Sequence, residues 1–219
     1  EDPTKEGYTF DGWYLDAELT TKYDFATPVN AKITLYAKWV EGEATAKRFT
    51  DLGNHKWAED AIYRLVEAGV VNGTSETTYS PGVNITRADF TTLIVRAFKF
   101  EAEVATFKDV DPSKYYATPV GIAKTLGIVG GVNATDFAPT AQISRQDMMT
   151  IISRGMQLGG DADLSGFYDN WNIADYALPH VKAMIASGLI KGNADGTINP
   201  LGNTTRAEAA VIMQRIVNR

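Results

Sequence analysis

Apolar and polar positions along this chain follow two different rhythms. Up to about residue 40 they alternate: Gly7-Tyr8-Thr9-Phe10-Asp11-Gly12-Trp13-Tyr14 and Ile33-Thr34-Leu35-Tyr36-Ala37-Lys38-Trp39 read as two β-strands. From residue 49 onward the spacing becomes helical. Trp57, Ala61, Ile62, Leu65, Val66 and Ala68 fall on one face at a period of 3.6. Phe90, Leu93, Ile94 and Ala97 form a second stripe, and Met148, Ile151, Ile152 and Ala209, Ile212, Ile216 form its counterparts further on. The chain therefore predicts a small β-rich module followed by a mainly α region.

The helical region repeats itself three times. Gly69-Val70-Val71-Asn72-Gly73, Gly127-Ile128-Val129-Gly130-Gly131 and Gly188-Leu189-Ile190-Lys191-Gly192 align without gaps. So do Tyr79-Ser80-Pro81, Phe137-Ala138-Pro139 and Ile198-Asn199-Pro200, and then Ile85-Thr86-Arg87-Ala88-Asp89, Ile143-Ser144-Arg145-Gln146-Asp147 and Thr204-Thr205-Arg206-Ala207-Glu208. The arginines are 58 residues apart (87 to 145) and then 61 (145 to 206). Each copy reads as helix, loop, helix. Gly69, Gly127 and Gly188 stand where a helix ends in a left-handed residue. Pro119 and Pro179 lie near helix starts, where a missing N–H does no harm. The second helix of each copy begins after Thr86, Ser144 or Thr205, and Thr205 with Glu208 forms a capping box. One such helix pair cannot bury its own stripe, so three copies must share one core. About 170 residues suffice for that.

These residues, together with Phe49-Thr50-Asp51, Trp57-Ala58, Phe107-Lys108-Asp109-Val110 and Phe167-Tyr168-Asp169, resemble three tandem S-layer homology motifs. The resemblance covers residues 49–219, divided as 49–106, 107–166 and 167–219. It implies a pseudo-threefold spindle, an extracellular place in a bacterial cell wall or surface layer, and noncatalytic anchoring through a secondary cell-wall polysaccharide that often carries pyruvate ketals. A protein–protein module of a surface lattice, partnered by neighbouring surface-layer proteins, is the alternative. Residues 1–40 are similar to the second half of a Listeria–Bacteroides repeat whose opening strand is absent. Residues 41–48 read as a linker. The first residues look like neither a signal peptide nor an anchor, so the chain is expected to be preceded by one or to be a piece of something longer.

Composition narrows the chemistry. The net charge of −6 argues against nucleic acid, which needs a basic footprint. No apolar run approaches the ~20 residues that cross a bilayer, so membrane insertion is not expected. There is no cysteine, which removes disulfides, thiolate metal sites and cysteine nucleophiles. His55 and His180 stand in non-equivalent repeat positions without a catalytic motif around them, and Asn193-Ala194-Asp195-Gly196 reads as a turn rather than a calcium loop. Neither catalysis nor a cofactor or metal is expected.

The candidate binding residues follow from the repeat. Arg87, Arg145 and Arg206 open capped helices, where free N–H groups and the dipole favour an anion and a guanidinium fork matches a carboxylate such as a pyruvate ketal. On this reading their removal should cost binding and leave stability almost unchanged. Pairing with surface acids is the plainer alternative. Gly73, Gly131 and Gly192 either let backbone approach a sugar or serve turn geometry. Asp51, Asp109 and Asp169 either accept from sugar hydroxyls or amide groups or cap the next helix. Trp57, Tyr115 and Tyr176, each 12 residues before the helix-ending glycine, either stack on a pyranose or belong to the core.

Overall fold

The computed structural model describes residue 3 and residues 8–27, 29, 32–41 and 49–218. They fall into two compact units, Glu1–Arg48 and Phe49–Arg219. In the first, strand β1 (Tyr8–Tyr14) pairs antiparallel with β2 (Tyr36–Glu41), with Tyr8 opposite Glu41 and Tyr14 opposite Tyr36. A register shift between Phe10 and Gly12 bulges β1, and Phe10 packs on both Trp13 and Trp39 at 5.4 Å. The second strand starts later than the alternation predicts. The chain turns after Tyr14, where Leu15 donates its N–H to the Thr21 carbonyl, which leaves Ile33–Leu35 no strand to pair with. Of the expected linker, residues 41–48, Glu41 closes β2 instead, and residues 42–48 lie outside the described residues.

Among its described residues the second unit holds six α-helices: α1 (Lys56–Glu67), α2 (Arg87–Phe98), α3 (Ala117–Thr125), α4 (Arg145–Gly155), α5 (Leu178–Ala186) and α6 (Arg206–Val217). Their ends match the repeat signals. Thr86, Ser144 and Thr205 accept from the N–H three residues on, and Thr205 with Glu208 completes the reciprocal capping box. Gly69, Gly127 and Gly188 take φ of +68°, +69° and +73° just beyond the first helices, a conformation open to glycine at little cost.

The packing partners cross the repeat boundaries. Each first helix lies on the second helix of the preceding copy: α3 on α2, α5 on α4, and α1 on α6. The last contact joins the two ends of the unit into a ring. At its centre Ile85 N–H donates to Thr204 O, Thr204 N–H to Ile143 O and Ile143 N–H to Ile85 O, at 2.9, 3.2 and 3.1 Å. This closed triangle places one equivalent residue from each copy about the pseudo-threefold axis. Thr204, the polar member, turns its hydroxyl toward Met148 Sδ. Phe90, Ile94, Met149, Ile152, Met184 and Met213 are fully buried around the axis in a single cluster drawn from all three copies. The fold is mainly helical with a small β module, and the three copies share one core, because no copy encloses its own stripe.

Two stripe positions depart from the sequence reading. Trp57 and Ala68, placed by periodicity on the buried face of α1, are exposed. The buried set is Ala58, Ala61, Ile62, Tyr63 and Leu65. Trp57 sits in the first turn at the edge of that arc, in line with the exposed Arg64 and Ala68.

Candidate functional site

The helix starts carrying the three arginines are built differently from the expected open anion sites. Arg87, Arg145 and Arg206 give their backbone N–H to Ala141, Gly202 and Val83 of the next copy around the ring, at 2.8–2.9 Å. The following residues, Ala88, Gln146 and Ala207, donate to Pro139, Pro200 and Pro81. The third amide goes to the cap hydroxyl. The N-terminal amides that would have held an anion are therefore spent on intercopy bonds, and the helix-terminus part of the expectation is corrected.

The side chains make the same step. Arg87 Nε donates to Phe137 O at 3.0 Å, Arg145 Nε to Ile198 O at 3.1 Å and Arg206 Nε to Tyr79 O at 2.9 Å. Beyond that the three diverge. Arg87 is 9% exposed, gives Nη2 to Gly130 O and pairs with Asp147 at 3.4 Å. Arg206 gives Nη2 to Asn72 O. Arg145 has no partner for its two terminal nitrogens among the described residues. Pairing with acids thus describes Arg87 only in part. All three are ties between copies, so their removal is expected to cost stability as well as binding.

The aspartates are clamps on the loop. Asp51, Asp109 and Asp169 each accept two consecutive backbone N–H groups, from Tyr79 and Ser80, Phe137 and Ala138, and Ile198 and Asn199, at 2.7–3.0 Å. The second amide of each pair belongs to a residue with positive φ, 58° at Ser80 and Ala138 and 54° at Asn199. The aspartates hold that bend and do not cap the next helix, whose starts carry no side-chain cap bond. Partial burial raises the Asp109 carboxyl, but the amides of Phe137 and Ala138 outweigh it and hold it below the usual range. Gly73 and Gly131 are required by packing: a Cβ on Gly73 would lie 2.4 Å from Ser75 O and 2.5 Å from the Phe49 ring, and one on Gly131 2.4 Å from Asn133 O. At Gly192 the obstacle is the Phe167 ring.

The aligned aromatics leave the core. Trp57, Tyr115 and Tyr176 are 59%, 62% and 51% exposed. Tyr115 donates its hydroxyl to Asp89, and Tyr176 to Asp147 at 2.7 Å, so each bridges to the second helix of the preceding copy. Burial and then the Asp147 bond push the Tyr176 phenol up to about 12. Trp57 replaces tyrosine in the first copy and lines a groove together with Glu208.

Two grooves of equivalent construction result. One, of 350 Å³, combines Arg145, the Gly188–Gly192 loop, the Glu208, Val211 and Arg215 face of α6, and Trp57. The other, of 490 Å³, combines Arg87, the 128–132 loop, Asp147, Thr150 and Arg154 of α4, and Tyr176. Each takes one wall from each of the three copies, and both fall in the size range of small-ligand sites. They bring together the predicted arginine, glycine loop and aromatic, while the aspartates stay behind the loop. Arg154 and Arg215 are additions that the sequence reading missed. They stand nine residues after Arg145 and Arg206, as Arg96 does after Arg87, so the repeat itself carried the signal. The charges differ: Lys191 joins Arg145 and Arg215 against Glu208 in the first groove, whereas Arg87 is already paired with Asp147 in the second.

Comparison with known proteins agrees with the geometry. Residues 1–38 match the Listeria-Bacteroides repeat domain, and residues 48–91, 106–149 and 171–210 match the S-layer homology domain. The chain is 32% identical over 193 residues to a surface-layer 125 kDa protein of Lysinibacillus sphaericus, covering 86% of this chain and 16% of that protein. It is 28% identical over 224 residues to an amylopullulanase of Thermoanaerobacterium thermosulfurigenes, covering 99% and 12%, and 24% identical over 204 residues to the S-layer protein sap of Bacillus anthracis, covering 82% and 24%. The chain thus spans less than a quarter of each of these relatives. S-layer homology proteins stand at the bacterial cell surface, attached to the wall. Three matched motifs, together more than half of the chain and arranged in one closed ring, place this chain in the S-layer homology domain family.

Proposed function

We propose that the helical unit attaches a longer protein to the cell wall by binding an acidic secondary cell-wall polysaccharide in its intercopy grooves, without catalysis. The observation that supports this best is Arg145. Its Nε is fixed to Ile198 O, which orients the guanidinium plane, while both terminal nitrogens remain open to a groove that also holds Arg215 and Lys191. A planar fork with two free parallel donors matches a carboxylate bidentately, and a pyruvate ketal presents one on a sugar ring. Exposed Trp57, at the rim, offers a flat apolar face to a pyranose. The working divisions are motifs at residues 49–106, 107–166 and 167–219.

The test is cosedimentation with purified sacculi before and after chemical removal of the polysaccharide. Binding is expected only to the intact wall and is expected to weaken at least tenfold in Arg145→Gln, the loss of one charge-assisted pair. Equal retention on stripped sacculi, or self-association that accounts for the pelleting, would instead favour a lattice-assembly module.

A further inference from the structure

His180 has no counterpart in the other copies, which carry Ala61 and Pro119 at the equivalent place in their first helices. Its half-buried ring lies between two α4 side chains. Nδ1 is 3.0 Å from the hydroxyl of Ser153, which is 2% exposed, and Nε2 faces Arg154 Nε at 3.2 Å. A guanidinium can only donate, so Nε2 holds a lone pair and the ring proton sits on Nδ1, donated to Ser153. The ring is therefore neutral and in one tautomer. Arg154 in turn lines the groove shared with Arg87, Asp147 and Tyr176.

We infer that His180 is a positioning residue: in its neutral form it holds Arg154 by Nε and presents the terminal guanidinium nitrogens to this one groove, and protonation of the ring lets Arg154 go. An imidazolium would place N–H against N–H and charge against charge. Arg154 is the charge that acts on the ring, and the charged groups carried by α4, α5 and the segment before α5 are engaged elsewhere. Lys182 on α5 is paired with Asp161 at 2.7 Å, Asp163 is bonded to Ser165, and Asp147 on α4 is engaged by Tyr176 and Arg87. Burial and then the Arg154 charge hold the His180 pKa below its ordinary value, in keeping with a neutral strap. The groove at Arg145 lacks such a strap, so the two grooves should respond differently to acid.

The inference rests on the anion-binding reading for its consequence, but its geometry can be tested without any ligand. Side-chain ¹⁵N NMR of the whole chain between about pH 8 and about pH 5 should find His180 as the Nδ1–H tautomer, with the Arg154 Nε–H resonance moving at the same midpoint. An Nε2–H tautomer, or an Arg154 resonance indifferent to the titration, overturns the inference whatever the grooves bind. Titration with a methyl hexopyranoside carrying a pyruvate ketal, followed at Gly131 and Tyr176, should then show affinity falling about fivefold on acidification, the scale of one ordered side chain. His180→Gln, which keeps an acceptor and a donor, should bind as wild type does at neutral pH and lose the pH dependence. Resonances of Gly192 and Trp57 should report a pH-independent site. Affinity that rises in acid would mean direct attraction by the imidazolium and would overturn the strap. If the probe binds at neither groove the anion reading fails, while the arginine resonance still decides the strap.

Discussion

Arg206, on the last helix, donates Nε–H to the carbonyl of Tyr79 in the first motif at 2.9 Å, with its guanidinium 4.6 Å above the Tyr79 ring. Together with Nη2 to Asn72 O, this arginine closes the ring of copies. Burial pushes the Tyr79 phenol up to about 12, against the lowering effect of Arg206.

Arg206→Ala should therefore lower stability as well as any binding. A carbonyl of a nearly buried tyrosine loses its donor, at about 1–3 kcal/mol. At about 2–4 °C per kcal/mol for a unit of this size, the melting temperature should fall by roughly 2–12 °C. Arg206→Lys, with a point charge and no fork, should restore only part. Thermal melting with urea titration checks it; an unchanged midpoint would reduce Arg206 to a surface residue.

Arg145→Ala should separate the two roles. It gives up one intercopy bond, to Ile198 O, against the three polar partners that Arg87 would lose. Its stability cost should be about 1 kcal/mol, below that of Arg87→Ala. Its loss of affinity for a pyruvate-ketal saccharide should be the larger of the two, because Arg87 is already neutralised by Asp147. Calorimetry and melting on both variants give the four numbers.

Ala138→Asn should stabilise the fold. Ala138 has φ of 58°, where a Cβ costs about 1–2 kcal/mol and asparagine is better tolerated. Asn199 already fills the equivalent bend in the third copy. A gain of about 0.5–1 kcal/mol in urea unfolding is expected, and a loss would mean the strain is not relieved there.

The clamp on that bend sets an acid limb. The Asp109 carboxyl titrates below its ordinary value of 3.8 in the folded protein. A lowered folded pKa adds stability above the unfolded value, and that contribution disappears as pH falls below 3.8 through the folded value. Asp109→Asn keeps one acceptor but turns an NH₂ toward the other amide. It should be less stable at neutral pH and should lose less on acidification, as read from urea midpoints across the acid range.

Much of this architecture was legible in the chain because the signals are local. The caps at Thr86, Ser144 and Thr205 and the left-handed glycines each follow from neighbours a few residues apart, and the shared core follows from the repeat itself. What was not legible is which helix packs on which. Periodicity identifies a buried face but not its partner, so the placement of α1 on α6, and with it the intercopy use of the arginine amides, needed coordinates. Trp57 was misplaced for the same reason: a stripe edge is ambiguous until the neighbour is known. The Asp51, Asp109 and Asp169 clamps join positions 28–30 residues apart. Arg154 and Arg215 were legible in principle, since their spacing from the first arginines is constant and Arg96 repeats it.

The last prediction concerns the source of the attraction. The whole chain carries −6, so its long-range field should not draw in an anionic polymer. The positive charges that matter are gathered in the grooves, with Arg145, Lys191 and Arg215 opposed by Glu208. Contacts within a partly enclosed groove are screened by salt much less than exposed pairs. Removing the ketal carboxylate should then abolish binding, while raising salt from about 0.01 M to about 0.15 M should weaken it only a few-fold. A bulk electrostatic mechanism predicts the opposite order, with strong salt dependence and indifference to which polyanion is offered. Affinities for native and depyruvylated polysaccharide at both salt levels distinguish the two. Undiminished binding of the depyruvylated polymer would transfer the recognition to neutral sugar contacts at Trp57, Tyr115 and Tyr176, the three repeat-aligned aromatics, all of them exposed.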